Sequence, residues 1–573
     1  MNTANTAARR PAGAIAGGHD LIGWVAGVSL GLIVAVPFVF IVLQAIFPEL
    51  GRGSLAAPLR HLGRTLGDPE LLRLTGHTLV LGLGVILGCT LVGVPLAVAR
   101  ALFRVPLALV WDVLFLVPFM IPPYIATLGW IMSLQPRGYL QQLTGINLGP
   151  LLFSVPGMIV IMTLNVFPVV YFAVSRTIEA VGTRYSDVGR VFGARPVRAF
   201  FRITLPLATP GLAASLLLVF ALAIEEYGTP AALGRRFGFE VLVTGIENRI
   251  SDWPIDLPGA AILSLLLVGL SLIAFMIQRR ILVARNYDTV GGKPHAKLKR
   301  PLGRWAIPVT AAFAVVAFLA TGLPILAILA TALSRTLSGG LKLSNMGFEN
   351  FVEVFHNTGG ALQALMNSLS LGVGTALLAG ALGALTAYAV EKGRGRGRVA
   401  LDVLAMLPSA LPGVVVAVGM ILAWNQPALP FTPYNTAFIL LLAYCCILLP
   451  QPVRYATAAF QQIGDNLEAA ARVAGAGPLT VFRRIMLPLI LPSLVTSMLL
   501  VFAVASRELV ASLLVAPVGM MTIAGFIWRQ FDQGSVGLGM TMSFIAIVIT
   551  TLIPMALIAL LRRFAGERFT GLH

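Results

Sequence analysis

Residues 187–206 read DVGRVFGARPVRAFFRITLP and residues 469–488 read AAARVAGAGPLTVFRRIMLP. Each stretch has a glycine (Gly193, Gly475), nine residues, an isoleucine (Ile203, Ile485), one further residue and a Leu-Pro pair (Leu205-Pro206, Leu487-Pro488). The copies lie 282 positions apart in a chain of 573, so the polypeptide is two related halves. Both copies sit between long apolar runs and carry several arginines. A basic element repeated at equivalent places between apolar runs belongs on one face of a membrane, twice.

Composition points the same way. The chain is 57% hydrophobic and 11% charged, with a mean hydropathy of +0.89, against roughly 25% charged residues in a soluble chain. Apolar runs of about 20 residues cross a bilayer as helices, the form that satisfies every backbone group inside the segment. Twelve runs are read, at 21–48, 74–102, 107–134, 152–176, 207–230, 258–281, 305–333, 366–391, 400–425, 436–458, 489–515 and 539–562. The strand-length alternation of an outer-membrane barrel is absent. The expected fold is an all-α polytopic membrane protein with about twelve transmembrane helices in two tandem six-helix repeats. Residues 1–281 form the first half, 282–304 a basic linker and 305–573 the second half.

The net charge of +18 is a topology signal. With the N-terminus inside, the inner segments hold 29 of the 41 lysines and arginines and the outer segments 11. This positive-inside bias places both termini and both motif copies in the cytoplasm, and it favours a lipid bilayer over nucleic acid as the partner. Arg9-Arg10 precede an apolar run too long for a signal peptide, and no small-residue cleavage site closes it, so the first span is expected to remain. Cys89, Cys445 and Cys446 fall within spans and are expected to pack as small apolar residues.

The halves align beyond the motif. Asp112-Val-Leu, Pro118, Pro122 and Gly129 match Asp402-Val-Leu, Pro408, Pro412 and Gly419 at an offset of 290. His77-Thr78-Leu79 matches Asn367-Ser368-Leu369 at the same offset, and Pro168 matches Pro450 at 282. Six spans per half give both halves one orientation, with a pathway between them.

The motif itself reads as a helix-turn-helix on the inner surface. Gly193 and Gly475 permit a turn that a Cβ would hinder. Pro196 and Pro478 open the next helix, and Pro206 and Pro488 are expected to end it. Phe200 and Phe201, or Val481 and Phe482, are expected to fill a groove on a partner. Arg198, Arg202, Arg483 and Arg484 would stand at its rim. An amphipathic loop lying at the headgroups is the plainer alternative for one copy, but explains two copies in register less well.

Glu225 and Glu226 end span five, and Arg507 and Glu508 are read within span eleven, Glu226 aligning with Glu508. They lie about 20 residues, or ~30 Å of helix, beyond each Leu-Pro, in the outer half of the bilayer. A charge there costs about 2.5–3.5 kcal/mol. These groups are expected to line or gate the pathway, or to form a structural pair joining Arg507 to a carboxylate. Pro118, Pro122, Pro123, Pro168, Pro408, Pro412 and Pro450 are expected to interrupt their spans, as packing kinks or as cavity lining. The six histidines show no metal-ligand spacing, and no nucleophile-base arrangement stands out. No phosphate-binding loop is present, since Gly292-Lys293 is followed by Pro294 where Ser or Thr is needed. The chain is therefore not expected to be an enzyme.

These features resemble the permeases of binding-protein-dependent ABC importers. Their inner loop has the form E-A-A, three residues, Gly, nine residues, Ile, any residue, Leu-Pro. The spacing is intact in both copies here. The first has Asp187-Val188-Gly189 in place of E-A-A, and the second has Ala469-Ala470-Ala471 with Glu468 one place early. The resemblance implies a fused, two-half permease of a bacterial inner membrane. It implies a separate ATP-binding subunit in two copies, with ATP on that subunit and no cofactor on this chain. The subunit would grip one loop through Asp187, Gly193, Ala194, Phe200, Phe201, Ile203, Leu205 and Pro206. It would grip the other through Glu468, Ala470, Gly475, Ala476, Phe482, Ile485, Leu487 and Pro488. A periplasmic solute-binding protein would dock on the outer segments at 49–73, 231–257 and 334–365. Within the family, EEYGTP at 225–230, REL at 507–509 and QFDQGSVGLGM at 530–540 resemble the ferric iron group. Permeases for 2-aminoethylphosphonate, polyamines or thiamine are the alternatives, and a secondary transporter is the rival class.

Overall fold

A computed structural model describes residues 13–181, 191–193, 195–284, 299–393, 397–427 and 429–565. Asp187, Ala194 and most of the linker lie outside these. Nine helices among the described residues are long and apolar enough to cross a membrane. In the first half they are Leu21–Ile46, Pro69–Leu102, Val155–Ala180, Phe200–Glu225 and Leu257–Ile281; in the second, Gly303–Leu333, Thr358–Lys392, Pro478–Ala505 and Val536–Leu557. The three remaining predicted positions hold bent pairs. Ala108–Met120 meets Pro123–Thr144 at 100°, Gly397–Ala410 meets Gly413–Trp424 at 116°, and Ala437–Leu448 meets Pro450–Gln461 at 48°. All twelve predicted positions are filled by helix, with spans three, nine and ten bent.

Proline explains where the breaks fall and where they do not. Ile121 and Leu411 precede Pro122 and Pro412 and take extended geometry (ψ 131° and 117°), as residues before proline prefer. Pro118 and Pro168 do not interrupt their helices, contrary to expectation, and lie inside Ala108–Met120 and Val155–Val181. Pro118 leaves the Leu114 carbonyl without its helical donor. The Thr321 hydroxyl, from the opposite half, donates to that carbonyl at 2.9 Å.

A second proline device recurs four times. Five-residue π turns at Gly31–Ala35, Phe200–Thr204, Phe318–Gly322 and Phe482–Met486 each end two residues before a proline: Pro37, Pro206, Pro324 and Pro488. The intervening residue donates five positions back in every case, as Leu205 N–H does to Phe200 and Leu487 N–H to Phe482. The wider turn relieves the clash of the proline ring with the carbonyl four residues earlier. Pro206 and Pro488 therefore do not end the motif helices. Each helix continues unbroken into span five or span eleven.

The halves interlock through their first spans. A Cβ on Gly129 would lie 2.7 Å from the Pro324 carbonyl oxygen, and one on Gly419 would lie 2.9 Å from that of Pro37. Span seven thus lies on the broken span three, and span one on the broken span nine. Every residue from Tyr124 to Ser133 and from Val414 to Ala423 is buried. The Tyr139 hydroxyl bonds that of Thr331 across the same seam at 2.7 Å. The repeat is a unit of sequence, while each packing unit borrows its first helix from the other half.

The matched His77-Thr78 and Asn367-Ser368 pairs have a shared task. Thr78 Oγ1 accepts from Leu242 N–H at 2.9 Å, and Ser368 Oγ from Ile523 N–H at 2.8 Å. His77 Nδ1 lies 2.8 Å from the Glu240 carbonyl oxygen, and Asn367 Nδ2 donates to that of Met521 at 2.9 Å. In each half, two adjacent side chains near the start of a span pin the start of a later, shorter helix (Leu242–Ser251, Ile523–Asp532).

Candidate functional site

The second motif copy is described throughout, apart from the side chain of Asp465. Helix Asp465–Val473 ends as Gly475 N–H donates to the Arg472 carbonyl (2.9 Å) and Ala476 N–H to that of Ala471 (3.0 Å). This pair of bonds is a Schellman motif, which needs a left-handed residue where Gly475 stands. Gly475 has φ +83° and Gly193 has φ +84°. Pro478 and Pro196 then open short helices that run through the π turns into the spans. Each elbow and the span behind it thus form one continuous helix.

The faces of the two elbows differ from expectation. Phe482 is 7% exposed and Val481 fully buried, so neither is free to fill a partner's groove. Phe482 packs against Tyr388 at 5.0 Å between ring centroids. Both belong to a cluster with Phe460, Ile490 and, from the other half, Ile22. The elbow is thereby welded to spans one, eight and ten. In the first copy Phe201 is exposed, while Phe200 is half-buried and edge-on to it at 5.2 Å. Arg198, Arg202, Arg483 and Arg484 are exposed, as are Pro206, Pro488 and Ala470; Ile203, Leu205, Ile485, Leu487 and Ala476 are half-buried. Glu468 is buried and paired with Arg472 one helical turn away. The most exposed large apolar side chains of the elbows lie at the turn: Val191, Phe192 and Val473 are 85%, 86% and 91% exposed, against 59% for Phe201 and 53% for Leu479. Val191 and Val473 are equivalent at offset 282, and that match of apolar residues just ahead of a left-handed glycine is the sequence signal that would have found them.

Phe482→Ala is expected to destabilise the folded permease by about 3–5 kcal/mol, the usual cost of emptying a buried phenylalanine site. Leu479→Ala, on the exposed face of the same helix, is expected to leave stability unchanged. Thermal unfolding of the purified protein reads both.

An ion cluster lies where spans two, three and four of the first half meet the end of the linker. Arg100 holds Asp112 at 2.7 Å, the Tyr171 hydroxyl donates to Asp112 at 2.6 Å, and Lys299 holds Glu179 at 2.9 Å. Backbone bonds from Arg104 to Arg300 and from Arg300 to Leu102 fasten the linker's end beside them. Glu179 lies near the end of the helix that leads to the first motif. Asp402 matches Asp112, but Val390 stands where Arg100 would, and Asp402 is exposed. Asp112→Asn is expected to cost about 1–3 kcal/mol, because it removes the nearer partner of a half-buried guanidinium and leaves only Glu179, 3.9 Å away. Asp402→Asn is expected to cost nothing measurable in the same unfolding assay.

Glu225, Glu226, Arg507 and Glu508 sit at or just beyond the ends of spans five and eleven. Span five stops at Glu225 and span eleven at Ala505, and short helices Gly228–Leu233 and Val510–Val515 follow. Glu508 accepts from the backbone N–H groups of Val510, Ala511 and Ser512 at 3.0, 2.8 and 3.2 Å. Glu226 accepts from Thr229 N–H with both oxygens at 3.0 Å. A carboxylate on free N–H groups at a helix start satisfies donors that lipid cannot. Glu225 accepts from the Ser271 hydroxyl at 3.3 Å. Arg507 makes no ion pair with any described carboxylate, so the structural pair expected for it is not formed.

The two capped helices meet the two broken spans. Gly228 lies against Tyr124, two residues past the break in span three, and Gly413, one past the break in span nine, faces Glu508. Each capped helix thus lies at the proline break of its own half, the Glu226-capped helix at span three and Glu508 at span nine. Sequence reading did not single out Tyr124, whose matched position holds Val414. No group of three or more potential metal-ligating side chains is present among the described residues.

Comparison with known proteins agrees with this architecture. The ferric transport system permease protein FbpB of Actinobacillus pleuropneumoniae is 25% identical over 547 residues, covering 92% of this chain and 77% of that protein. The Fe(3+)-transport system permease protein FbpB 2 of Haemophilus influenzae is 24% identical over 518 residues, covering 88% of this chain and 91% of that protein. A Salmonella typhi relative named for 2-aminoethylphosphonate transport, PhnV, is 29% identical over 263 residues, 46% of this chain and 97% of its own length. One family model matches twice, over residues 90–285 and 377–569, and each match contains one elbow and one capped helix. The chain belongs to the family of binding-protein-dependent transport system inner membrane components, with two copies of the family's domain in one multi-pass polypeptide.

Proposed function

We propose that this chain is the permease subunit of an ATP-driven importer and that its solute is ferric iron. The observation that carries the reading is the pair of elbows, each with a left-handed glycine (Gly193, Gly475) and each followed by a helix that runs on into a span, at the position of the family's inner loop. Residues 1–281 and 305–573 act as the two permease halves, joined by the linker 282–304, with both termini in the cytoplasm. The excess of lysine and arginine on the inner segments supports that orientation. A nucleotide-binding subunit, in two copies, engages Val191, Phe192 and Val473 at the turns, with Arg198, Arg202, Arg483 and Arg484 around them. A binding protein delivers the solute to the outer face, and ATP is bound and hydrolysed on the partner subunit.

The elbows pass the closure of that subunit into spans five and eleven. These spans end at the capped helices beside the broken spans, so a push on the inside alters the seam near the outside. Such a cycle shifts a two-state equilibrium that ligands on both faces bias. The whole-length likeness to proteins named for ferric transport supports iron. The half-length likeness to a protein named for 2-aminoethylphosphonate transport supports that solute as the second reading, together with Arg507, which pairs with no described carboxylate.

Co-reconstitution of the permease with its ATPase and binding protein, assayed with ferric iron, 2-aminoethylphosphonate, a polyamine and thiamine, tests the reading. ATP-dependent uptake of iron is expected. Uptake of iron without ATP would favour a secondary transporter.

A further inference from the structure

Between the end of span one at Ile46 and the start of span two at Pro69 lies a short helix, Arg60–Leu66, packed against spans one and six. Its depth is fixed by its neighbours. Leu59 N–H donates to the carbonyl of Ile46, the last residue of span one, at 2.7 Å. A Cβ on Gly51 would lie 3.5 Å from the side chain of Leu257, the first residue of span six. Arg249 joins Glu70, in the first turn of span two, at 3.2 Å and Asp256, just ahead of span six, at 3.6 Å. The helix therefore starts level with the ends of three apolar spans, where hydrocarbon gives way to headgroups. Trp253, 89% exposed, lies four residues ahead of span six at the same boundary, the level at which indoles collect.

The free face of this helix is amphipathic. Leu59 and Leu66, seven residues apart, are 52% and 54% exposed, and Leu55 ahead of them is 62% exposed. Arg60 and Arg64, four apart, form the adjoining stripe; both are exposed, and neither makes an ion pair with a described carboxylate. Leu62 is half-buried against the core. The matching helix of the second half, Glu349–Phe355, shows what the fold itself requires at these places. At positions 290 further on, Asn350 donates to the carbonyls of Ala332 and Ser334, and Val354 is fully buried. There the two side chains hold the helix in place. In the first half the same places carry arginines that hold nothing.

We propose that helix Arg60–Leu66 lies in the headgroup layer of the bilayer and binds anionic phospholipid, with Leu55, Leu59 and Leu66 at the acyl boundary and Arg60 and Arg64 on the phosphate oxygens. An apolar stripe at the boundary holds such a helix in the plane of the interface, and the guanidinium fork matches a phosphate. Each arginine near an anionic surface adds about fivefold in affinity. The lipid contact holds for any solute, because only the crossing of spans one, two and six enters. A docking protein is left the remainder of the surface that this face of the molecule presents.

Two measurements on the full chain, in vesicles of phosphatidylethanolamine and phosphatidylglycerol, test this. The first reads depth. Leu59→Cys and Leu66→Cys, made one at a time, accept a nitroxide selectively because Cys89, Cys445 and Cys446 are buried. At both sites the nitroxide is expected to collide more with dissolved oxygen than with a water-soluble nickel chelate. An excess of nickel collisions at either site would place the helix in water and overturn the proposal. Nickel collisions that fall only when a solute-binding protein is added would assign the face to that protein and overturn it equally. The second reads headgroup choice. Phosphatidylglycerol bearing a photoactivatable diazirine is expected to label residues 55–66, and Arg60→Gln combined with Arg64→Gln is expected to lower that labelling about tenfold or more. Both side chains are exposed, so the double variant keeps its fold, and unfolding temperature checks this. Diazirine-bearing phosphatidylcholine is expected to label wild type and double variant alike, at the lower level. Equal labelling of wild type and double variant by the phosphatidylglycerol probe would overturn the proposal.

Discussion

Valine at both elbow glycines, Gly193→Val with Gly475→Val, is expected to reduce ATP-dependent uptake to the level seen without ATP while the permease stays folded and inserted. The two glycines have φ +84° and +83°, a region that costs a non-glycine residue about 1–2 kcal/mol and a β-branched one more. A Cβ at Gly193 would meet nothing within 4 Å, and Gly475 itself is exposed, so little packing is lost. The strain falls on the turn alone. It displaces Val191, Phe192 and Val473 relative to the helices that follow, and the second of these keeps its burial against spans one, eight and ten. Uptake and unfolding temperature measured on the same preparation separate the two effects. A variant that still imports at the wild-type rate would show that the turn geometry carries no force.

Gly129→Leu, or Gly419→Leu, is expected to fail at the earlier stage of assembly. The nearest atoms that a side chain would strike at these positions belong to backbone: the Pro324 carbonyl oxygen at 2.7 Å and its Cα at 2.9 Å, and the Pro37 carbonyl oxygen at 2.9 Å, with the Ile41 side chain next at 3.0 Å. Backbone inside a helix cannot swing aside as a side chain can. The cost is expected at the upper end of the ~1–3 kcal/mol usual for overpacking or beyond it, and it prises apart the seam between halves. Even Gly129→Ala should lower the unfolding temperature. Gly76→Leu, where a Cβ meets nothing within 4 Å, should not. Equal behaviour of Gly129→Leu and Gly76→Leu would contradict the interlocked packing.

The twelve-segment plan was readable because a bilayer leaves the chain little choice: apolar length and inner positive charge are one-dimensional properties. The elbow glycines were readable because left-handed backbone demands glycine and a Schellman turn leaves it at a fixed distance from the next proline. The three-dimensional partner of each residue was not. Phe482 and Phe200 occupy the same place in the motif, yet only Phe482 is buried, because Ile22 and Tyr388 close over it. Pro206 looked like a helix stop, and a π turn two residues earlier absorbed it. Pro118 looked like a break until Thr321, over 200 residues away, supplied the missing donor. Arg507 looked like half of an ion pair, and its neighbouring carboxylate had already been taken by backbone N–H groups. In each case a non-local group or a local backbone bond decided the outcome, and residue spacing carries no record of it.

The central claim is that mechanical work from a nucleotide-binding partner enters through the two elbows. Single cysteines answer this directly, since Cys89, Cys445 and Cys446 are all buried. With Val191→Cys and Val473→Cys introduced one at a time, a short bifunctional cross-linker applied to the assembled complex is expected to capture the ATP-binding subunit at each elbow. The yield should change when ATP is added. Labelling of either cysteine only from the periplasmic side, or no captured ATP-binding subunit at either elbow, would contradict the account.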